Sequence, residues 1–525
     1  MQRLERFFKN ALILGGTGIF MRVISVAFNA YVAKRIGAEG MGLFSLISSV
    51  YFFGVTLATS GIHLAVTMLV SEELEHDDHA GARAAVKTAV KAALCFGGAA
   101  AALLFFGAGF LSERVLGDSR TYSSLRAFAA ALPFIALSNV FQGYFSAVRR
   151  VAKNASAGIA EQFVKIAITV SLLVFLAPRG VEYACLSLVI GTAVSEALSF
   201  LYLLIFYLFD RKRHLSLAAP ANRTGMARRM LSISLPIALS SYLRSGLVTI
   251  EHILIPIGLE KSGADYASAL ASYGTIHGMA LPLVLFPSAI CATFAGLIVP
   301  EFSELSTRYG TVKGNRHICY IVRRALCGVL FFSIGVAGIL FCFASPLGTL
   351  VYGSAEAGYY IRLFAPLVPV MYLDTSVDGM LKGLGQQVPS MIYNIVDASL
   401  SVLLVWTLLP QMGIRGYVYC VFITEIINMA LSLHRLLSVT DARLPVLRPI
   451  AGSLFCILGA TSVSALVFRP GSFAQNALVA TVFGILLTLF CYLLFLRGTQ
   501  SVSREEVRWL RGIRRRNSSP EHEKD

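Results

Sequence analysis

The chain has 525 residues, of which 56% are hydrophobic and only 14% charged, with a formal net charge of +16 at pH 7. A composition this apolar excludes an ordinary soluble domain and places the sequence among polytopic membrane proteins. The positive charge is not a nucleic-acid signal, because the Lys and Arg residues fall between apolar runs, where they set topology.

A membrane span needs roughly 20 apolar residues to cross about 30 Å of hydrocarbon. Fourteen runs have that length, at about 10–33, 41–70, 86–111, 124–147, 155–177, 181–209, 230–258, 267–298, 320–347, 359–381, 388–410, 414–436, 446–468 and 473–496. The first is too long for a signal-peptide core and shows no cleavage site, so it is expected to remain as a span. With a cytoplasmic N-terminus the inner segments hold roughly 32 basic residues against roughly 10 outside, so both termini are expected in the cytoplasm. The nine cysteines lie mostly within apolar runs without metal-ligand spacing, which makes them packing residues.

An ionisable group inside a span is costly unless it faces protein or water, so each is a candidate functional residue. Span 1 carries Arg22 and, seven residues on, Asn29 on the same helix face. Span 5 carries Glu161 and Lys165, an i, i+4 pair that is either structural or part of a cavity. Span 7 repeats the pattern of span 1 with Arg244 and, again seven residues on, Glu251. A guanidinium keeps its charge and offers a planar fork to phosphate oxygens, so two such arginines across a pseudo-twofold axis suit a pyrophosphate. The alternative is that each pairs with a carboxylate and only holds helices together. Arg22, Asn29, Arg244 and Glu251 form the candidate substrate site. His63 in span 2 and His277 in span 8 are isolated, a pattern that suits packed and hydrogen-bonded histidines.

Span 10 carries Asp374, Asp378 and Lys382 as a polar stripe at i, i+4 and i+8. Lys382 can neutralise Asp378, which leaves Asp374 as the leading candidate for a coupling cation or proton. Asp397 in span 11 and Glu425 in span 12 add acids to the same half. No nucleophile–base pair, phosphate loop or metal cluster is visible in the sequence, and no enzyme activity or cofactor is expected.

The sequence also repeats itself. RAFAAALPFIALSNVFQGYFSAVRR from Arg126 recurs as RLFAPLVPVMYLDTSVDGMLKGLGQ from Arg362, an offset of 236 residues that sets Pro133 on Pro369, Gly143 on Gly379 and Glu161 on Asp397. Arg22 likewise matches Arg244. The expected fold is therefore all-α: fourteen transmembrane helices in two six-helix lobes related by a parallel pseudo-twofold repeat, plus two extra C-terminal helices. The domains run 1–210 (spans 1–6), 211–229 (cytoplasmic inter-lobe loop), 230–440 (spans 7–12), 441–497 (spans 13 and 14) and 498–525 (basic cytoplasmic tail).

AKRIGAEGMGLFSL after span 1, GYFSAVRRVAKNASAGIAEQFVK across spans 4 and 5, FPSAICATFAGLIVPEFSEL closing span 8 and GMLKGLGQQVPSMIYNIVD across spans 10 and 11 together resemble one family. It is the multidrug, oligosaccharidyl-lipid and polysaccharide exporter superfamily, in its stage V sporulation protein B-like and lipid II flippase branch. The resemblance implies alternating access by two six-helix lobes, carrying an undecaprenyl-pyrophosphate-linked sugar from the inner to the outer leaflet of the bacterial cytoplasmic membrane. It implies a monomer whose partners are the lipid-linked sugar and the bilayer, with energy from a sodium or proton gradient or the membrane potential. Arg22 fits the cavity arginine of such flippases in span 1. Where they carry an arginine in span 8 this chain has His277, so the identity of the lipid cargo stays open. Spans 13 and 14 carry no charge along their apolar runs, which suits a groove for the lipid tail. The alternatives are a cation-coupled multidrug exporter of the same superfamily and a non-transporting spore-envelope scaffold. A membrane-embedded glycosyltransferase is disfavoured by the short outer loops.

Overall fold

The structure is a computed structural model that describes residues 2–214, 225–293, 295–296, 302, 315–442, 447–467 and 477–498. Most of the inter-lobe loop, the close of span 8 and the basic tail therefore lie outside the described residues. Every regular element among the described residues is helical. We number the α-helices α1 (Gln2–Thr59), α2 (Ile62–Glu75), α3 (His79–Phe110), α4 (Tyr122–Ala129), α5 (Leu132–Ala147), α6 (Val151–Leu176), α7 (Val181–His214), α8 (Met226–Lys261) and α9 (Tyr266–Tyr273). There follow α10 (Leu281–Leu285), α11 (Arg316–Leu347), α12 (Ala355–Phe364), α13 (Val368–Gly383), α14 (Gln387–Met412), α15 (Ile414–Thr440), α16 (Leu447–Val467) and α17 (Ala477–Gly498).

Among the described residues, eleven helices are long and apolar enough to cross a membrane, or twelve if the bent pair Ser119–Ala129 and Leu132–Ala147 is one span. This measure falls short of the fourteen expected spans for local reasons. Expected spans 1 and 2 run on as one helical stretch, separated by a break at Gly37, whose φ of 73° and ψ of −177° favour a residue without a side chain. Span 4 is bent by 41° where Pro133 opens α5. Span 10 is interrupted at the matching place by Pro366 and Pro369, and its α13 half has only 16 residues and carries Asp374, Asp378 and Lys382.

The chain divides into two compact units, residues 1–279 with 391–424 and residues 280–390 with 425–525. In the first, Tyr51 stacks on Phe128 with ring centroids 3.8 Å apart, joining α1 to α4. Gly143 on α5 lies so near α2 that a Cβ there would come within 2.8 Å of the His63 carbonyl oxygen. Beyond α5, Arg150 and Tyr144 both hold the buried Asp210 on α7, the Tyr144 hydroxyl at 2.9 Å.

The second unit holds comparable contacts at two of the matched positions. Gly379, the match of Gly143, would bring a Cβ within 2.6 Å of the Ala295 side chain. Gln386, the match of Arg150, accepts from Arg435 on α15 at 2.6 and 3.1 Å. Ile318, Val322, Val377, Leu381 and Leu436 pack α11, α13 and α15 together. Leu330, Ile334, Cys456, Ile457, Tyr492 and Leu496 seat α16 and α17 on α11, and the Tyr492 hydroxyl donates to the Phe331 carbonyl at 2.7 Å. Lipid is as apolar as these side chains, so close van der Waals fit and such hydrogen bonds hold the helices, rather than exclusion of water.

Candidate functional site

The first unit contains a seam between the second half of α1 and α8. Thr249 Oγ1 donates to the Ser49 carbonyl at 3.2 Å, Thr56 Oγ1 to Ser245 Oγ at 3.1 Å and the Tyr242 hydroxyl to the Leu57 carbonyl at 3.1 Å. Residue numbers fall on one helix as they rise on the other, so the two run antiparallel. Small polar side chains suit such a seam, because they bond across helices while letting backbones approach.

Arg244 lies within the span of this seam and is exposed. Its guanidinium acts electrostatically on Asp397 of α14, which in turn faces Glu251. Glu251 is also within hydrogen-bonding reach of the Ser401 hydroxyl, one turn on from Asp397. The structure thus gathers Arg244, Glu251 and Asp397, which the sequence had divided between a substrate site and a coupling site. Arg22 is exposed on α1 and makes no hydrogen bond or ion pair among the described residues. Asn29 donates from Nδ2 to the Gly278 carbonyl at 2.6 Å and so ties α1 to the stretch that follows α9.

Glu161 and Lys165 on α6 form the expected neighbouring pair, but a third member joins them from α7. Glu196 acts on both, and both acids act on the Tyr51 hydroxyl of α1. Glu196 was legible as an acid inside the sixth apolar run, and the rule that singled out Glu161 applies equally to it.

In the second unit Lys382 Nζ lies 2.6 Å from Asp378 Oδ2, and Ser390 Oγ also donates to Asp378. Asp374 accepts from Asn428 Nδ2 of α15 at 3.2 Å. Asn428 is buried, and polar burial of this kind had no signature in the sequence. Glu425 lies on α15 three residues before Asn428. The same unit holds a cavity of about 370 Å³, lined by Ile290, Cys291, Phe332, Gly335, Tyr492 and Leu496 among others, with Arg324 on its wall. Its lining is otherwise apolar, and its size lies within the range of sites for small or elongated apolar ligands.

Comparison with known proteins places these features in context. Residues 7–306 match the family described as polysaccharide biosynthesis protein. Stage V sporulation protein B of Bacillus subtilis (strain 168) is 27% identical over 420 residues, covering 78% of this chain and 80% of that protein. The lipid II flippase MurJ of the same organism is 22% identical over 427 residues, covering 75% and 76%. A solved structure of the lipid II flippase MurJ in an inward closed conformation superposes with a TM-score of 0.70 at 14% identity, covering 93% of this chain and 99% of that one. At that identity the superposition shows a shared fold.

Proposed function

The chain belongs to the polysaccharide biosynthesis protein family, and from that premise we propose that it is a flippase for a lipid-linked cell-envelope precursor. The cargo is an undecaprenyl-pyrophosphate-linked sugar, either lipid II-like or a polysaccharide repeat unit. It moves from the inner to the outer leaflet of the bacterial cytoplasmic membrane by alternating access of the repeats 1–210 and 230–440. Translocation makes and breaks no covalent bond.

The observation that carries this reading is Arg22, a guanidinium in an apolar span that is exposed and has no carboxylate partner among the described residues. A permanent charge so placed is costly in a purely structural role, and its fork matches a diphosphate. Arg244, its sequence match, is exposed as well and lies within electrostatic range of Asp397. The apolar cavity of the second unit supports a place for part of the prenyl chain. We assign energy coupling to a sodium or proton gradient or to the membrane potential, entering through the acids of the second repeat, with Asp374 first among them. Both termini face the cytoplasm, and the working unit is a monomer.

The test is a leaflet assay of lipid II in cells depleted of their other flippases. Restored outer-leaflet exposure on expression of this protein supports the reading. Unchanged inner-leaflet accumulation, with the protein present in the membrane, rejects a lipid II-like cargo.

A further inference from the structure

After α9 the chain passes into a π-helix over Gly274–Ala280. A π turn shifts backbone pairing by one residue, and such turns persist where neighbours hold them in place. Here Asn29 of α1 bonds the Gly278 carbonyl, and Gly274 lies against the backbone of Ala38 and Gly42. The segment is thus tied to α1 on both sides of the break at Gly37.

His277 projects from this segment, and its Nε2 lies 2.6 Å from the hydroxyl of Tyr417 on α15. On α8, His252 Nδ1 lies 2.8 Å from the Tyr273 hydroxyl. The two imidazole centroids are 4.7 Å apart, with their planes at 73°. Tyr273 and Tyr417 are fully buried. Each imidazole has one nitrogen bonded to a tyrosine, while the other makes no hydrogen bond among the described residues. A neutral imidazole has one donor and one acceptor, so each ring retains capacity for a further proton. Two imidazolium rings this close would repel strongly, so the pair takes one proton and not two. Among the described residues the other titratable groups near by are few. Glu251, one residue before His252, acts on Tyr273, and Asp397 of α14 and Cys420 of α15 face Glu251 in turn. From α1 the π segment meets Asn29, which is uncharged.

We propose that the His252–Tyr273 and His277–Tyr417 pairs form a binding site for a single proton, and that its occupancy governs whether the π segment keeps its hold on Asn29. The uncharged pair suits the apolar surroundings of the arrangement seen. An imidazolium can only donate, so in the tautomer whose tyrosine-bonded nitrogen is bare, protonation there makes the tyrosine oxygen the acceptor and turns its own hydrogen elsewhere. That rearrangement acts on the π segment and, through Gly278, on α1, seven residues from Arg22. Proton binding stands independently of the flippase reading, whereas its coupling to transport rests on that reading.

The test has two arms on the full-length protein. In the first, hydrogen–deuterium exchange of residues 274–280 is followed in lipid nanodiscs from pH 7.5 to pH 4 and corrected for intrinsic exchange. The expected result is at least about tenfold faster exchange at the lower pH, lost in His252→Gln and in His277→Gln. Corrected rates that do not change with pH in the unmodified protein overturn the site, and that result needs no variant to fold. In the second arm, transport of an undecaprenyl-diphosphate-linked sugar into vesicles is measured with and without a gradient of one pH unit. One coupled proton allows up to about tenfold stimulation, which His277→Gln should diminish to whatever part enters through the acids of the second repeat, while transport without the gradient persists. Undiminished stimulation in His277→Gln overturns the coupling. No transport by the unmodified protein rejects the flippase reading and leaves the exchange arm to decide the proton site.

Discussion

Arg229 on α8 grips Glu72 on α2, with Nη2 at 2.6 Å from both carboxylate oxygens, while its Nη1 reaches Glu73 Oε1 at 3.4 Å. Both helices lie in the first compact unit; on the expected division Glu72 belongs to the 1–210 lobe and Arg229 ends the 211–229 loop, so the pair ties that junction at the end expected to face the cytoplasm. Both Glu72 and Arg229 are about half exposed, and an exposed pair is worth at most about 1 kcal/mol. That is roughly a fivefold bias between closed and open states. Arg229→Glu should therefore slow transport severalfold, and Glu72→Arg combined with it should recover at least half of the loss. A double variant no better than Arg229→Glu alone would show that the clasp does not gate.

Arg22→Ala and Arg244→Ala should each abolish transport, while membrane abundance stays near normal. Lysine at either position should rescue only in part, since it keeps the charge and loses the bidentate fork. The two sites differ in one respect: Arg244 lies within electrostatic range of Asp397, so Arg244→Ala should also lower thermal stability, and Asp397→Asn in addition should restore that stability but not transport. Full transport by either alanine variant would remove that arginine from the substrate site.

Asp374 and Asp378 are expected to behave differently although they share one face of α13. Lys382 and Ser390 already engage Asp378, whereas Asp374 meets the amide of Asn428. Asp374→Asn keeps the shape and removes the charge, so it should weaken transport and its dependence on a sodium or proton gradient together. A charge that crosses the full potential gains about 2.3 kcal/mol per 100 mV, enough to bias a two-state carrier. Transport with unaltered ion dependence in Asp374→Asn would exclude it as the coupling site.

Topology gives a simpler test. Reporters fused after Asp525 and near Arg213 should read as cytoplasmic, and one near Lys261 as external. An external reading after Asp525 would sink the count of fourteen spans, with both termini inside.

Much of the architecture was legible in the sequence because its causes are local or repetitive. Run length and hydropathy depend on neighbouring residues alone, so the helices appeared where apolar runs were long. The proline and glycine repeated at an offset of 236 residues marked the duplication, and in the structure Pro133 and Pro369 open the second halves of spans 4 and 10 while Gly143 and Gly379 each lie close against another segment. Which polar groups meet was decided elsewhere. Asp397 faces Arg244 and Glu251 from a helix about 150 residues further along the chain, and Glu196 joins Glu161 and Lys165 from α7. His277, which looks isolated in the sequence, lies ring against ring with His252, which the sequence did not single out. Hydropathy records the cost of placing such groups in a span, but the partner that offsets this cost comes from helix packing, which brings together residues that no local pattern links.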